Sequence, residues 1–128
     1  MTLLLDTSVL VRHLTEDPPD AAARARALLA GEEPLVVTDL VAAETLWVLE
    51  SRYDVPPAVA AAAVRSVVAT PSIRRDGDAV LLRILELHER GASVVDAHLV
   101  ARAERDGLPV ATFDRSLGRG TAARTIEP

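Results

Sequence analysis

Apolar residues fall along this chain in short runs, and polar or turn-forming residues separate them. The run TLLL, residues 2–5, reads as a buried strand, and residues 8–14 read as a short helix that Thr7 or Ser8 is able to cap. After the turn EDPPD comes an Ala-rich helix from about Pro18 to Ala30, closed by Gly31. Residues 35–38 read as a strand and 39 to 53 as a helix. VPPAVAAAAVRSVVAT is a further helix with prolines at its start, and PSIRRD is a weak strand. DAVLLRILELHERG has helical periodicity, with Asp76 and Asp78 at its start and Gly91 at its end. SVVDAHLVARAERDG is a last helix ending at Gly107; LPVATFD is a strand that stops at an aspartate, and ARTIEP a final short strand. Strands that alternate with helices predict a parallel sheet with helices on both faces, so the expected architecture is a small three-layer α/β/α sandwich.

Composition narrows the chemistry. With 128 residues and 49% hydrophobic content, residues 1–128 read as one domain with a core of its own, and no Gly/Ser linker or internal repeat divides them. No apolar run approaches the roughly 18 residues of a membrane helix. MTLLLD has no basic stretch and meets an Asp at position 6, so no signal peptide is expected. Cysteine is absent, which removes disulfides and thiolate zinc sites and fits a cytoplasmic setting. All 14 basic residues are Arg. Without Lys there is no Walker A loop and no Schiff base. A net charge of −5 argues against a broad basic surface for duplex DNA. Trp47, Tyr53 and Phe113 are too few for a base-stacking platform.

The informative residues are acids. Asp6 follows the first strand and Asp114 the strand PVATF; ligands of open α/β sheets bind beyond such strand ends. Glu44 has Leu40, Val41, Trp47 and Val48 at three or four residues' distance, and Asp96 leads a stripe continued by Leu99, Val100 and Ala103. These spacings put both beside apolar helix faces, which normally turn inward. Two carboxylates about 4 Å apart repel by roughly 4 kcal/mol at an effective dielectric near 20. Four therefore call for a counter-charge, and an all-oxygen set suits Mg²⁺ or Mn²⁺. His13, His88 and His98 show no ligand spacing for zinc.

Each acid also has a structural reading. Asp6 serves equally well as a helix cap, Ser93-Val-Val-Asp96 as a capping-box variant, and Asp114 as a turn residue. Glu44, in mid-helix, has no capping role and could pair with an Arg. Asp39 looks like an N-cap, and Trp47 like core or a partner surface. His98, Arg102 and Arg105 share a helix face of the solvated kind. Arg12 is a surface residue close enough in sequence to Asp6 to meet phosphate. Thr112, two residues before Asp114, either supports the site by hydrogen bonding or is a β-branched strand residue.

The order and spacing of LLLDTSVLV, VVTDLVAAETLWVL and SVVDAHLVARAERDGLPVATFD resemble the PIN-domain family, and within it the VapC type of bacterial toxin, over nearly the whole chain. That resemblance implies about five parallel strands, a homodimer, and a Mg²⁺- or Mn²⁺-dependent ribonuclease inhibited by a cognate antitoxin. It places the acidic site on Asp6, Glu44, Asp96 and Asp114, and a hydroxyl position on Thr7, with Ser8 beside it. The chain departs from some relatives in having Arg115 and Ser116 where another acid follows the last Asp, which puts a second metal position in doubt. Arg115 and Arg119 are open to RNA phosphate, to solvent or to the antitoxin.

Other enzyme classes fit poorly. A haloacid-dehalogenase-type phosphatase needs an Asp two residues after its nucleophile, where Ser8 stands, and a phosphotransfer receiver needs a late Lys. The remaining alternatives are a PIN-like protein acting on another nucleic acid and a non-catalytic interaction module.

Overall fold

The computed structural model describes residues 1–74 and 78–128, with the side chains of 78 and 79 left aside. Asp76 and the end of the PSIRRD run therefore lie outside the described residues. Among those described, the chain is mixed α/β, with six helices and five two-residue strands: β1 (Leu3–Leu4), α1 (Thr7–Thr15), α2 (Pro19–Ala30), β2 (Leu35–Val36), α3 (Asp39–Arg52), α4 (Pro57–Val68), β3 (Ile73–Arg74), α5 (Asp78–Glu89), α6 (Val94–Asp106), β4 (Val110–Ala111) and β5 (Thr125–Ile126).

Every strand pairing is parallel, and hydrogen bonding divides the strands into β1-β2-β3 and β4-β5. Leu3 faces Leu35 and Leu35 faces Ile73; Val110 faces Thr125. The ladders are short because their ends are committed elsewhere. Pro34 and Pro109 have no N–H to donate, while Asp6 and Thr38 already turn into the helices they cap. Backbone bonds from Leu5 to Val36 (2.9 Å) and from Thr112 to Ile126 (3.0 Å) carry the pairing slightly further.

Along β1 the period of two decides burial, whereas Leu35, Val36 and Val37 at the central strand are all buried. Leu5, Leu35, Val37 and Ile73 enter the main core, with Leu3 packed against it. Leu4, between them, is 75% exposed, so the TLLL run alternates and is not buried throughout. Leu10, Leu46, Leu49 and Val64 bring α1, α3 and α4 onto the same core. A second cluster joins Val80, Ile84 and Leu87 of α5 to Ala97, Val100 and Leu117. Helix α5 takes part in both, since Leu81 and Leu85 belong to the main core.

His88 continues the Leu81–Leu85 stripe and is 5% exposed. Its Nδ1 lies 2.7 Å from the Ala92 carbonyl oxygen and its Nε2 2.7 Å from Glu50 Oε2. The carbonyl can only accept, so Nδ1 carries a proton. This histidine ties α5 to α3 and is structural.

Capping differs in detail from the sequence expectation. Asp6 caps α1, as its structural reading has it, in place of Thr7 or Ser8, and Thr38, not Asp39, caps α3, accepting from Val41 N–H at 3.2 Å. Asp39 sits one position inside the helix, where its charge still favours the N-terminal dipole.

Arg83 on α5 grips Glu104 on α6 with Nε at 2.8 Å and Nη2 at 3.1 Å, and Glu104 also accepts from the Ala122 N–H at 3.3 Å. The Arg83 hydrogen bonds hold the Glu104 carboxyl below its ordinary value of 4.5. A lowered folded-state pKa means that the contribution to stability is complete above the ordinary value and is lost as pH falls through the lowered one. Glu104→Gln should therefore cost about 1 kcal/mol at neutral pH, the upper end for a well-formed bidentate pair. In urea titrations, the gap to the parent should close as the pH is taken below the ordinary carboxylate range.

Candidate functional site

Asp6 stands where β1 passes into α1. Its Oδ2 accepts from the Ser8 N–H at 3.1 Å and from Ser8 Oγ at 2.6 Å, and its side chain is exposed. Asp114 repeats the device after β4: its Oδ1 accepts from the Ser116 N–H at 2.8 Å and from Ser116 Oγ at 2.7 Å. Both are Asp-x-Ser turns, Asp6-Thr7-Ser8 and Asp114-Arg115-Ser116. In each, the serine hydroxyl bond is the main cause of a carboxyl pKa below the ordinary 3.8, with the serine amide next. Both groups are anionic at neutral pH, and each turn uses one carboxylate oxygen and leaves the second to other partners.

Thr7 is buried, and its Oγ1 donates to Glu44 Oε2 at 3.1 Å. That bond joins the start of α1, directly after Asp6, to the middle of α3. Glu44 does not lie on an inward face, because its neighbours Leu40 and Trp47 are 80% and 57% exposed. It points outward from α3, and Thr7 holds it. Asp96 lies half-buried in the first turn of α6, its N–H donating to Ser93 Oγ at 3.1 Å. Asp96 and Ser116 line one cavity of about 350 Å³, so the Asp114 turn borders the same space as Asp96.

The acids are thus linked in two pairs through other residues, Asp6 to Glu44 by way of the adjacent Thr7, and Asp96 to Asp114 by way of Ser116. Among the described residues, no three Asp, Glu or His side chains stand close enough to hold one ion. The donor chemistry nevertheless suits a hard divalent cation: the ligands are oxygens, and on Asp6 and Asp114, whose carboxyls are held below the ordinary carboxylate value, one oxygen is left over.

The supporting residues separate clearly. Ser8 orients Asp6, and Thr112 Oγ1 accepts from the Asp114 N–H at 3.0 Å, which steadies the turn. Arg12 Nη1 leans towards the Asp17 carbonyl oxygen at 3.4 Å and serves the α1–α2 turn. Arg115, its side chain 86% exposed, stands 3.9 Å from Glu127 and away from the cavity. Ser116 was not among the candidates from sequence, although its spacing from Asp114 repeats that of Ser8 from Asp6.

No individual curated protein matches the chain. The family model described as "PIN domain" matches residues 3–121, a span that holds Asp6, Glu44, Asp96 and Asp114. The chain belongs to the PIN-domain family.

Proposed function

We propose that this protein is a metal-dependent endoribonuclease, a single-domain toxin of a toxin–antitoxin pair that acts in the cytoplasm. PIN domains are generally metal-dependent nucleases. The observation that carries the reading to this chain is the repeated Asp-x-Ser turn, which presents an ionised carboxylate after β1 and again after β4. Asp6, Glu44, Asp96 and Asp114 are the residues that would hold Mg²⁺ or Mn²⁺. Once bound, such a cation polarises a phosphodiester and acidifies an attacking water.

The chain's own groups do the positioning. Ser8 and Ser116 fix one oxygen of each aspartate, and Thr7 fixes Glu44, so the carboxylates meet a cation with little rotamer freedom left to lose. A cation among them also reconciles an anionic substrate with a chain of net charge −5. The toxin role, the antitoxin partner and the homodimer rest on the resemblance in size and element order. A groove where α3 meets α6, with Leu40 80%, Val95 69% and Leu99 42% exposed, supports association through that face.

The test is purified protein against total and structured RNAs with Mg²⁺, Mn²⁺ or chelator. Cleavage at defined sites that chelator abolishes is the expected result. Saturable Mn²⁺ binding without RNA cleavage would move the substrate to another nucleic acid, and no saturable binding would leave an interaction module.

A further inference from the structure

The cavity beside Asp96 gathers several charged side chains. It lies between α5, α6 and residues 116–121, holds about 350 Å³, and takes Arg83, Arg90 and Arg119 into its wall with Asp96 as the acid. Three guanidinium groups and one carboxylate line it, and of the three only Arg119 has no carboxylate within ion-pair distance among the described residues, since Glu104 and Glu86 pair with Arg83 and Glu86 with Arg90. We propose that this cavity is a subsite for an RNA backbone phosphate next to the reacting one, with Arg119 and Arg90 as its cationic contacts. The proposal rests on the ribonuclease reading and extends it by naming where the strand is gripped.

The three arginines are not equally free. Arg83 is held by Glu104 and by Glu86 at 3.2 Å, and forms fixed wall. Arg90 makes a single pair with Glu86 at 2.9 Å, with its side chain 69% exposed. Exposed pairs of that kind are weak and exchange readily for a phosphate. Arg119 makes no ion pair among the described residues. It is carried by Gly118 at φ +73 and Gly120 at φ +76, a left-handed pair that L side chains rarely adopt. Hydrogen bonds from Arg119 N–H to the Ser116 carbonyl (3.1 Å) and from Thr121 N–H to the Gly118 carbonyl (3.0 Å) fix that turn.

The chemistry favours a phosphodiester over other anions. Guanidinium forks match phosphate oxygens in pairs, and the Ser93 hydroxyl, whose oxygen accepts from the Asp96 N–H, keeps its proton as a neutral donor at the same wall. No aromatic residue lines the cavity, so it has nothing to stack a base on. The grip is therefore on the backbone and indifferent to sequence. Asp96 in the same wall places the subsite against the acidic set that the nuclease reading assigns to the cation.

The test uses the full chain carrying Asp6→Asn, so that RNA is bound and not cut, with Mg²⁺ present. Binding of a short, mixed-sequence, fluorescein-labelled single-stranded RNA is followed by anisotropy across a salt series. Arg119→Gln in that background should weaken binding roughly tenfold and flatten the slope of log K against log salt by about 0.7. Arg90→Gln should act in the same direction. Arg119→Lys should restore the slope and only part of the affinity, since the fork is lost. Arg52→Gln, which removes the same charge over the Trp47 ring and outside the cavity, should change neither quantity. Equal losses from Arg52→Gln and Arg119→Gln, or no loss from both cavity variants, would overturn the subsite and leave the nuclease reading standing. A parent that binds no RNA would overturn both.

Discussion

Asp6→Asn should reduce RNA cleavage by more than about a hundredfold, beyond what loss of an outer-shell partner costs a metal site, and leave the fold unchanged. The substitution separates the two roles that Asp6 has. As a helix cap it accepts from the Ser8 amide and hydroxyl, and an asparagine carbonyl oxygen accepts equally well, since Asn and Asp rank together at the N-cap. As a cation ligand it supplies a full negative charge, which asparagine does not. Asp6→Ala, by contrast, should lose both the cap, at about 1 kcal/mol, and the activity. A protein in which Asp6→Asn cleaves RNA normally and only Asp6→Ala is impaired, through stability, would show Asp6 to be a cap alone. Mn²⁺ titration of both variants against the parent gives the same discrimination without a substrate.

The difference between these outcomes marks what sequence pattern could reach. Strand–helix alternation, Pro at the starts of α2 and α4 and Gly107 after α6 are local signals, and the corresponding elements stand where those signals put them. The acids stand out in the sequence because they interrupt that pattern at strand ends and among apolar helix residues. Which way a helix face turns was not legible. Leu40 and Leu46 look alike in the sequence of α3, yet one is 80% exposed and the other 0%. The apolar neighbours of Glu44 thus placed it inward, while the hydroxyl of Thr7, 37 residues earlier, is what holds it on the outside. Long-range hydrogen bonds of this kind have no period. The Ser116 contact is local and could have been read, because Asp-x-Ser already stood at the N-terminus. The Arg119 turn depends on two left-handed glycines, and a Gly-Arg-Gly triplet alone does not say into what space its arginine points.

Leu85→Ala should lower the unfolding free energy by about 3 kcal/mol, within the range of fully buried leucines, against a total of about 5–15 kcal/mol for a domain of this kind. Leu85 is fully buried in the main core, and one turn before it Leu81 is 1% exposed. On the adjoining stripe of the same helix, Val80, Ile84 and Leu87 fill the second cluster. A helix shared by both clusters cannot be loosened on one side without disturbing the other, so the loss should appear as one transition at a lower urea midpoint. Far-UV circular dichroism and the fluorescence of the single Trp47, which reports on α3, should trace the same curve in parent and variant. Leu108→Ala removes the same atoms from a side chain that is 59% exposed, and should stay within about 0.5 kcal/mol of the parent. Separate transitions for the two probes would mean that α5 does not couple the clusters. A Leu85→Ala loss no larger than that of Leu108→Ala would mean that Leu85 is not packed as the core requires.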